Sequence, residues 1–321
     1  LTRPLVALAG APAHVFTVRV LDRVGKGLRT SPRDALLARS VPSSDRGLAF
    51  GFHRGMDHAG AVIGPLLALL LLRYSDGDLR LVFGAALGPG LLALFVLVIF
   101  VRDVPTREVE AVETAEQPSR ARNPSRLLAV PPRRLAPLLG PVGLITLASA
   151  SDLFLLLAVG VERVPLEALP LLWVGLHVVK SASSPLGGWW ADRSTERRVL
   201  ATGWMLLAAC YVGFAVVDEP LLKGALLLLY GMHHGLSEGP EKALVARLAS
   251  DGEVGTAFGW YHLTCGLLAL PAGLWFGALW QSHSQSAAFL TGATLAALAT
   301  MWLLRLPADP RREPVASPTR T

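Results

Sequence analysis

The sequence predicts an all-α polytopic membrane protein, and three observations support this fold class. Of the 321 residues, 52% are hydrophobic and only 17% are charged, whereas a soluble domain carries about 25% charged residues. Residues 254–304 contain no Asp, Glu, Lys or Arg, and this stretch is long enough for two membrane helices of about 20 residues each. The apolar content is too high for a disordered chain, and the 31 glycines and 23 prolines are too many for a coiled coil.

Apolar runs predict nine membrane helices, at 13–38, 47–72, 79–101, 137–160, 167–189, 199–217, 221–248, 255–280 and 287–306. An apolar stub at 1–9 precedes them, and clusters of turn-forming or charged residues separate several of them. The segment 102–136 is rich in Glu, Arg, Pro and Ser and predicts a flexible linker. The chain therefore divides into a first bundle (1–101), the linker, a second bundle (137–306) and a polar tail (307–321).

The positions of the basic residues predict the orientation of the chain in the membrane. The loop 39–47, the linker, the loop 191–198, Arg247, Arg305 and the tail together carry 17 of the 30 lysines and arginines, whereas the loops on the other side carry four. Under the positive-inside rule, the linker and the C-terminus are cytoplasmic and the protein lies in the cell membrane. The formal charge of +6 thus reports topology, and we expect no nucleic-acid partner.

Several functional classes lack their sequence signals. Cys210 and Cys265 lie in apolar runs without a CxxC pair, so neither a disulfide framework nor a zinc site is indicated. His233 and His234 adjoin Glu238, but neighbouring histidines point to different faces of a helix and no HExxH spacing occurs. A GxxxxGK[ST] loop and a clustered nucleophile and base are also absent from the sequence. We therefore expect no metal, no cofactor and no enzymatic activity.

An internal repeat relates the two halves at an offset of 208 residues. It aligns 27–51 with 235–259, where 11 of 25 positions are identical, including Pro32 with Pro240 and AlaPheGly at 49–51 with 257–259. The repeat predicts two halves of the same orientation, related by a pseudo-two-fold axis along the membrane normal. The same offset predicts that the chain is truncated at its N-terminus, that 1–9 is the end of a third helix, and that 13–38 is helix four of twelve.

Three motifs resemble the major facilitator superfamily, and the resemblance covers essentially the whole chain. GlyTrpTrpAlaAspArg at 188–193, followed by two arginines, resembles the family's GxLADRxGRR gating motif; the gating residues it implies are Gly188, Asp192, Arg193, Arg197 and Arg198. In 47–72, a second pattern resembles the antiporter motif GxxxxxxxxGxxxGPxxG and consists of Gly51, Gly60, Gly64 and Pro65. GKGLRTSPRDALLA at 25–38 is similar to a prokaryotic subgroup of the superfamily.

The second motif also has a direct physical interpretation. Gly60 and Gly64 predict a smooth face for close approach of another helix, and Pro65 permits a bend. Ordinary packing of small residues is the alternative.

Charged residues inside the predicted helices indicate a polar cavity, because a charge at the bilayer centre costs about 2.5–3.5 kcal/mol on insertion scales. One face of 13–38 carries Arg19, Asp22, Lys26, Arg29 and Arg33 at steps of three and four residues. Other helices add cavity candidates (Arg54, Lys180, Lys242) and candidate proton carriers (Asp57, Asp152, Glu238, Glu241). Near the cytoplasmic end, we interpret Arg33, Asp34 and Arg39 as a gate latch. Salt bridges that only hold helices together are the alternative for individual pairs.

The resemblance implies a secondary active transporter that moves a small organic solute by alternating access. The antiporter-like motif favours proton-coupled export, and the arginines of 13–38 favour an anionic group on the solute. Its expected partners are the solute, protons and the lipid bilayer, and the expected oligomeric state is a monomer. Solute uptake by proton symport, a membrane-embedded enzyme and a transport-inactive fragment that acts as a scaffold stay open as alternatives.

Overall fold

The computed structural model describes residues 3–101, 130–160 and 168–307, and within these ranges every regular element is helical. The helices are α1 (Pro12–Ser40), α2 (Arg46–Tyr74), α3 (Leu79–Ala85), α4 (Leu87–Phe100), α5 (Ala136–Ala148), α6 (Asp152–Gly160), α7 (Ala168–Arg193), α8 (Glu196–Val216), α9 (Pro220–Leu248), α10 (Val254–Ser282) and α11 (Gln285–Arg305). Short 3-10 helices cover Arg3–Leu8, Ser43–Asp45 and Asp251–Glu253. Most of the predicted linker and tail lies outside the described residues.

All nine predicted membrane helices are present, and two of them consist of two pieces. The predicted helix 79–101 is α3 followed by α4, and the predicted helix 137–160 is α5 followed by α6. At the second break, the Ala150 N–H donates to the Tyr211 hydroxyl oxygen at 2.7 Å, which replaces the helical partner that this buried donor loses. Within the predicted stub at 1–9, Arg3–Leu8 form a 3-10 helix, and residues 1–2 lie outside the described ranges.

Six segments of the described chain are long and apolar enough to cross a membrane, at 43–74, 79–100, 136–160, 196–216, 254–282 and 285–305. Helices α1, α7 and α9 are also long, but they carry the polar side chains described below. Most of the buried core belongs to the second half, where it includes Trp204, Tyr211, Phe214, Phe276 and Phe289. Helix α4 has no buried residue, so its apolar side chains form an outer surface suited to lipid.

Helix α2 approaches α7 closely through a row of small residues. Gly47, Gly51 and Gly55 recur at steps of four, so they share one face of α2. The Ser181 hydroxyl donates to the Gly55 carbonyl oxygen at 2.8 Å, and a Cβ atom at Gly55 would lie 2.9 Å from the Ser181 carbonyl oxygen. These positions therefore admit no side chain larger than hydrogen without moving the two backbones apart.

The predicted close approach at Gly60 and Gly64 is not observed. In the described part of the chain, no heavy atom lies within 4 Å of a Cβ atom built at either position. At about 100° per residue, Gly60 lies on the face of α2 opposite Gly51, and Gly64 is about 140° from it. Only the first glycine of the motif therefore faces α7. Pro65 lies inside α2, which continues as one helix to Tyr74.

Candidate functional site

The two halves meet at one end of the molecule, which we call the linker end. Helices α1, α7, α9 and α11 end there, and α2, α5, α8 and α10 begin there. Arg46, at the start of α2, donates to the Ala38 carbonyl oxygen of its own half at 3.0 Å and to the Ala246 carbonyl oxygen of α9 at 3.5 Å. The linker ends of the first and second repeats thus lie side by side, as halves of the same orientation require.

Asp192 joins the halves by capping the first turn of α2. Its carboxylate accepts from the Gly47 N–H at 2.8 Å and from the Leu48 N–H at 2.7 Å. The first N–H groups of a helix have no partner within it, and they form the positive end of the helix dipole, so a carboxylate is well placed there. A Cβ atom on Gly188, one turn earlier on α7, would collide with the Gly47 carbonyl, so this glycine allows the approach.

The arginines of the gating motif stay within the second half. The Arg193 guanidinium lies 4.2 Å from the centre of the Trp189 ring, and Arg197 donates to the Leu306 carbonyl oxygen at 2.8 Å. The backbone N–H of Arg198 donates to the Thr195 hydroxyl, which caps α8. Among these predicted gating residues, Asp192 and Gly188 are therefore the ones that contact the first half.

Replacing Asp192 with alanine is expected to lower the free energy of unfolding by about 0.5–2 kcal/mol, the usual cost of losing a helix N-cap. It should also expose the linker end, because the lost hydrogen bonds join the two halves. Asp78→Ala is the matched control, since the Asp78 carboxylate caps α3 within one half. Thermal unfolding and labelling of a reporter cysteine at the linker end measure both effects. Equal labelling of the two variants would contradict a role for Asp192 between the halves.

A network of polar side chains, which we call the inter-half network, is centred on Glu238 of α9. One carboxylate oxygen lies 3.4 Å from Arg54 Nε and 3.2 Å from His58 Nε2, and both partners belong to α2. The other oxygen lies 3.3 Å from His234 Nδ1, one turn earlier on α9. Arg54 Nη1 also lies 3.4 Å from the Asp57 carboxylate. Glu238 thus joins the two halves and is 24% exposed.

The network continues from His234 into the second half. His234 Nε2 lies 3.0 Å from the Tyr230 hydroxyl oxygen, and the Tyr230 hydroxyl donates to Asp152 Oδ1 at 2.9 Å. Lys180 donates to the other oxygen of Asp152 at 2.6 Å and is 2% exposed. The break between α5 and α6 places Asp152 at the start of α6, from which its side chain meets α7 and α9.

A pair of histidines forms a side branch of the network. His58 Nδ1 lies 3.2 Å from His177 Nδ1, so one of these two nitrogens carries the proton and the other accepts it. The His177 ring also packs against Trp173, with ring centroids 4.6 Å apart. Through this branch, α2 and α7 share a titratable contact.

The structure brings together five of the predicted site residues, namely Arg54, Asp57, Asp152, Lys180 and Glu238. The sequence analysis did not assign His58, His177, His234 or Tyr230 to this site. A signal for part of this set was present, because Tyr230, His234 and Glu238 recur at steps of four on α9. On α2, Arg54 and His58 are also four positions apart, and on α7, His177 and Lys180 are three apart. This spacing does not indicate which helix each pair meets.

A second polar cluster lies nearer the linker end. Asp34 Oδ2 lies 2.7 Å from Lys242 Nζ and 2.9 Å from His262 Nε2, and Arg33 pairs with the other oxygen at 3.0 Å. Lys242 is 1% exposed and therefore enclosed in this structure, and its place in the cavity wall stays a prediction. Glu241 is likewise buried.

The basic residues of α1 are more accessible. Arg19, Lys26 and Arg29 are exposed and Asp22 is partly exposed, whereas Arg39 is exposed at the end of the helix. That this stripe faces the space between the halves stays a prediction. Within the described ranges, no group of three or more His, Cys, Asp or Glu side chains is arranged to hold a metal ion.

Comparisons with known proteins agree with this architecture. The family model of the Major Facilitator Superfamily matches residues 4–273 and 171–321. An uncharacterized MFS-type transporter of Methanocaldococcus jannaschii, MJ1317, is 30% identical over 291 residues, which are 88% of this chain and 70% of that protein. An uncharacterized protein of Mycobacterium tuberculosis, Rv2265, is 26% identical over 311 residues, 95% of this chain and 74% of that protein.

A solved structure shares the fold. The human organic anion transporter MFSD10 (TETRAN) superposes with a TM-score of 0.69 at 19% identity, over 94% of this chain and 74% of that one. The family match extends over most of the sequence, and the relatives and the shared fold point the same way. The chain therefore belongs to the major facilitator superfamily, whose members are membrane transporters.

Proposed function

We propose that the protein moves a small organic solute by alternating access and couples this movement to protons, with Glu238 and His234 as the proton site. The count of hydrogen-bond donors and acceptors in the network supports this proton site. Tyr230 donates its only hydroxyl proton to Asp152, so His234 Nε2 must donate to the tyrosine oxygen. His234 Nδ1 faces a carboxylate oxygen, which when ionised only accepts. Every contact is then satisfied only if one additional proton resides on His234 or Glu238.

The proton site lies between the two halves, so its charge affects how easily they separate. When the halves separate at the linker end, Arg54 and His58 move away from Glu238. Removing one partner of a buried ion pair costs about 3–5 kcal/mol, because the other charge is left uncompensated. Protonation of Glu238 removes the negative charge and with it most of this penalty. A network in which Glu238 itself is protonated therefore favours opening of the linker end, whereas a network in which the proton resides on His234 and Glu238 stays ionised favours closure.

The direction of transport and the chemistry of the solute belong to the same proposal. We place the linker end in the cytoplasm from the distribution of basic residues. In that orientation, contacts between the halves close the cytoplasmic side, and the open surroundings of Gly60 and Gly64 lie towards the other side. Proton entry from outside would then drive export. The exposed basic residues of α1 suit an anionic group on the solute, and the structural neighbour MFSD10 is an organic anion transporter.

Uptake by proton symport is the second candidate, because the same network would serve it.

The bodies that move are the first bundle (1–101) and the second bundle (137–306), joined by the linker 102–136. A scaffold that does not transport would show no flux of any solute.

Glu238→Gln is expected to abolish proton movement and to preserve solute exchange. The amide keeps the shape of the side chain but cannot gain or lose the proton, whereas exchange of solute for solute needs no net protonation. We would reconstitute the protein in liposomes with an internal pH indicator and test a panel of organic anions and cations. Wild-type liposomes should acidify or alkalinise when solute is added, and the variant should match empty liposomes while counterflow of labelled solute continues.

Glu253→Gln is the matched control, since Glu253 is an exposed carboxylate at the linker end, outside both polar clusters. It should leave proton movement and counterflow unchanged. Proton movement at the wild-type level in a folded Glu238→Gln protein would overturn the assignment of the carrier. The sign of the pH change distinguishes the two mechanisms, since an inward solute gradient should make the liposome interior alkaline under antiport and acidic under symport.

A further inference from the structure

Helix packing at the linker end repeats itself in the two halves. The 208-residue offset makes Gly239 equivalent to Ser31, and Gly255 equivalent to Gly47. The Ser31 hydroxyl donates to the Gly255 carbonyl oxygen at 3.0 Å, and the Gly47 carbonyl oxygen lies 3.5 Å from the Cβ position of Gly239. Helix α1 therefore packs against α10 as α9 packs against α2, which is the relation that a two-fold axis between the repeats produces.

Two contacts join a residue to its own equivalent in the other half. Asp34 and Lys242 are 208 positions apart, and their charged groups lie 2.7 Å apart. Phe50 and Phe258 are also 208 positions apart, and their ring centroids lie 5.8 Å apart. Residues that a two-fold rotation exchanges can touch only where both lie beside the axis. The pseudo-two-fold axis therefore passes between the two members of each pair.

The repeats carry opposite charges at this place. The first repeat has Arg33 and then Asp34, whereas the second has Glu241 and then Lys242. Equal charges at an on-axis position would face each other a few ångströms apart in a medium of low dielectric constant, where their repulsion is strong. The inverted order replaces this repulsion with attraction. Asp34 and Lys242 are each 1% exposed, so water screens the pair little.

We propose that Asp34 and Lys242 form an on-axis latch that holds the two halves together at the linker end and must break whenever that end opens. Each partner belongs to a different half, so any rotation that parts the halves there stretches the pair. His262 adds a second bond to Asp34 at 2.9 Å, and the Lys242 ammonium lies 5.9 Å from the Phe50 ring centre. The latch rests on alternating access and not on the proton coupling proposed above.

A buried reporter cysteine tests the latch without any solute. The background carries Cys210→Ala and Cys265→Ala, and the reporter is Ala246→Cys, since Ala246 is 1% exposed one turn from Lys242. The labelling rate with a water-soluble maleimide reports opening of the linker end. We expect Asp34→Asn, Lys242→Met and the double variant to raise this rate at least about tenfold, because opening no longer breaks a charge pair. Glu253→Gln should label at the background rate.

A more specific test exchanges the charged dipeptides at 33–34 and 241–242 between the two repeats. The variant combines Arg33→Glu, Asp34→Lys, Glu241→Arg and Lys242→Asp, so the opposite charges on the axis change sides. Because the two positions are equivalent under the pseudo-symmetry, labelling should return to within about threefold of the background rate. Arg54, the repeat equivalent of His262, is near enough to position 242 for its charge to act on a group there.

The outcomes separate a latch from a pair that only stabilises the fold. Background-rate labelling of a folded Asp34→Asn, Lys242→Met double variant would overturn the latch. Labelling of the dipeptide exchange as fast as in the single variants, with an unchanged thermal midpoint, would overturn the on-axis assignment. Loss of proton coupling in the flux assay does not enter either comparison, so the two proposals fail independently.

Discussion

Replacing Gly51 with valine is expected to lower the free energy of unfolding by about 3 kcal/mol or more, at the upper end of the range for overpacking. A Cβ atom at this position would overlap the Ser184 carbonyl oxygen of α7, and it would lie 3.2 Å from Gly188 Cα. Both obstacles are backbone atoms, which cannot move aside as a flexible side chain can. The two helices must therefore separate, and the neighbouring contacts at Gly47 and Gly55 weaken with them.

Gly60→Val is the matched control on the same helix. A Cβ atom there meets no described heavy atom within 4 Å, so the expected change lies within about 0.5 kcal/mol of zero, as for most surface substitutions. The thermal unfolding midpoint in detergent, followed by intrinsic tryptophan fluorescence, compares the two variants. Equal destabilisation would mean that valine acts through the helix itself and not through the contact between α2 and α7.

Lys180→Met is expected to destabilise the protein by about 3–5 kcal/mol, the usual consequence of removing one partner of a buried ion pair. Lys180 is 2% exposed and donates to Asp152 at 2.6 Å. Without the ammonium group, the Asp152 carboxylate keeps only its bonds from Tyr230 and the more distant His234. Arg73→Met, at an exposed basic residue in the last turn of α2, is the control and should change stability little.

A double-mutant cycle with Asp152→Asn shows whether the loss comes from the unpaired charge. The double variant contains neither charge, so it should be more stable than Lys180→Met alone, with a favourable coupling of about 0.5–3 kcal/mol between the two substitutions. Additive losses in the cycle would show that each side chain acts by packing. The same unfolding assay measures all four proteins.

The glycines of α2 show which property of a helix the sequence does not indicate. The motif that begins at Gly51 indicates a helix with small residues, and this is correct. It does not indicate which glycines meet a neighbour, because that depends on which face of α2 turns towards α7. The structure selects Gly47, Gly51 and Gly55, and it leaves Gly60 and Gly64 without a close neighbour in the described ranges.

Lys242 and Glu238 show the same limit for charged residues. Both lie in a predicted membrane helix, and the cost of burying charge marks both as functional candidates. In the structure, the two residues differ in burial and in their partners. Lys242 is enclosed beside Asp34 near the linker end, whereas Glu238 is 24% exposed and faces Arg54 and His58. The partial exposure of Glu238 supports its proposed role as the proton carrier.

The sequence by itself indicated the number of long helices, a division of the chain into two repeats and the resemblance to a transporter superfamily. These properties follow from local apolar runs and from similarity along the chain, because a bilayer requires each crossing segment to satisfy its own backbone and to be apolar over its whole length. The tertiary structure decided which polar groups meet. Glu238 and His58 are 180 positions apart, and Asp34 and Lys242 are 208 apart. Such pairs depend on the relative rotation and depth of helices from different halves, which no local periodicity records.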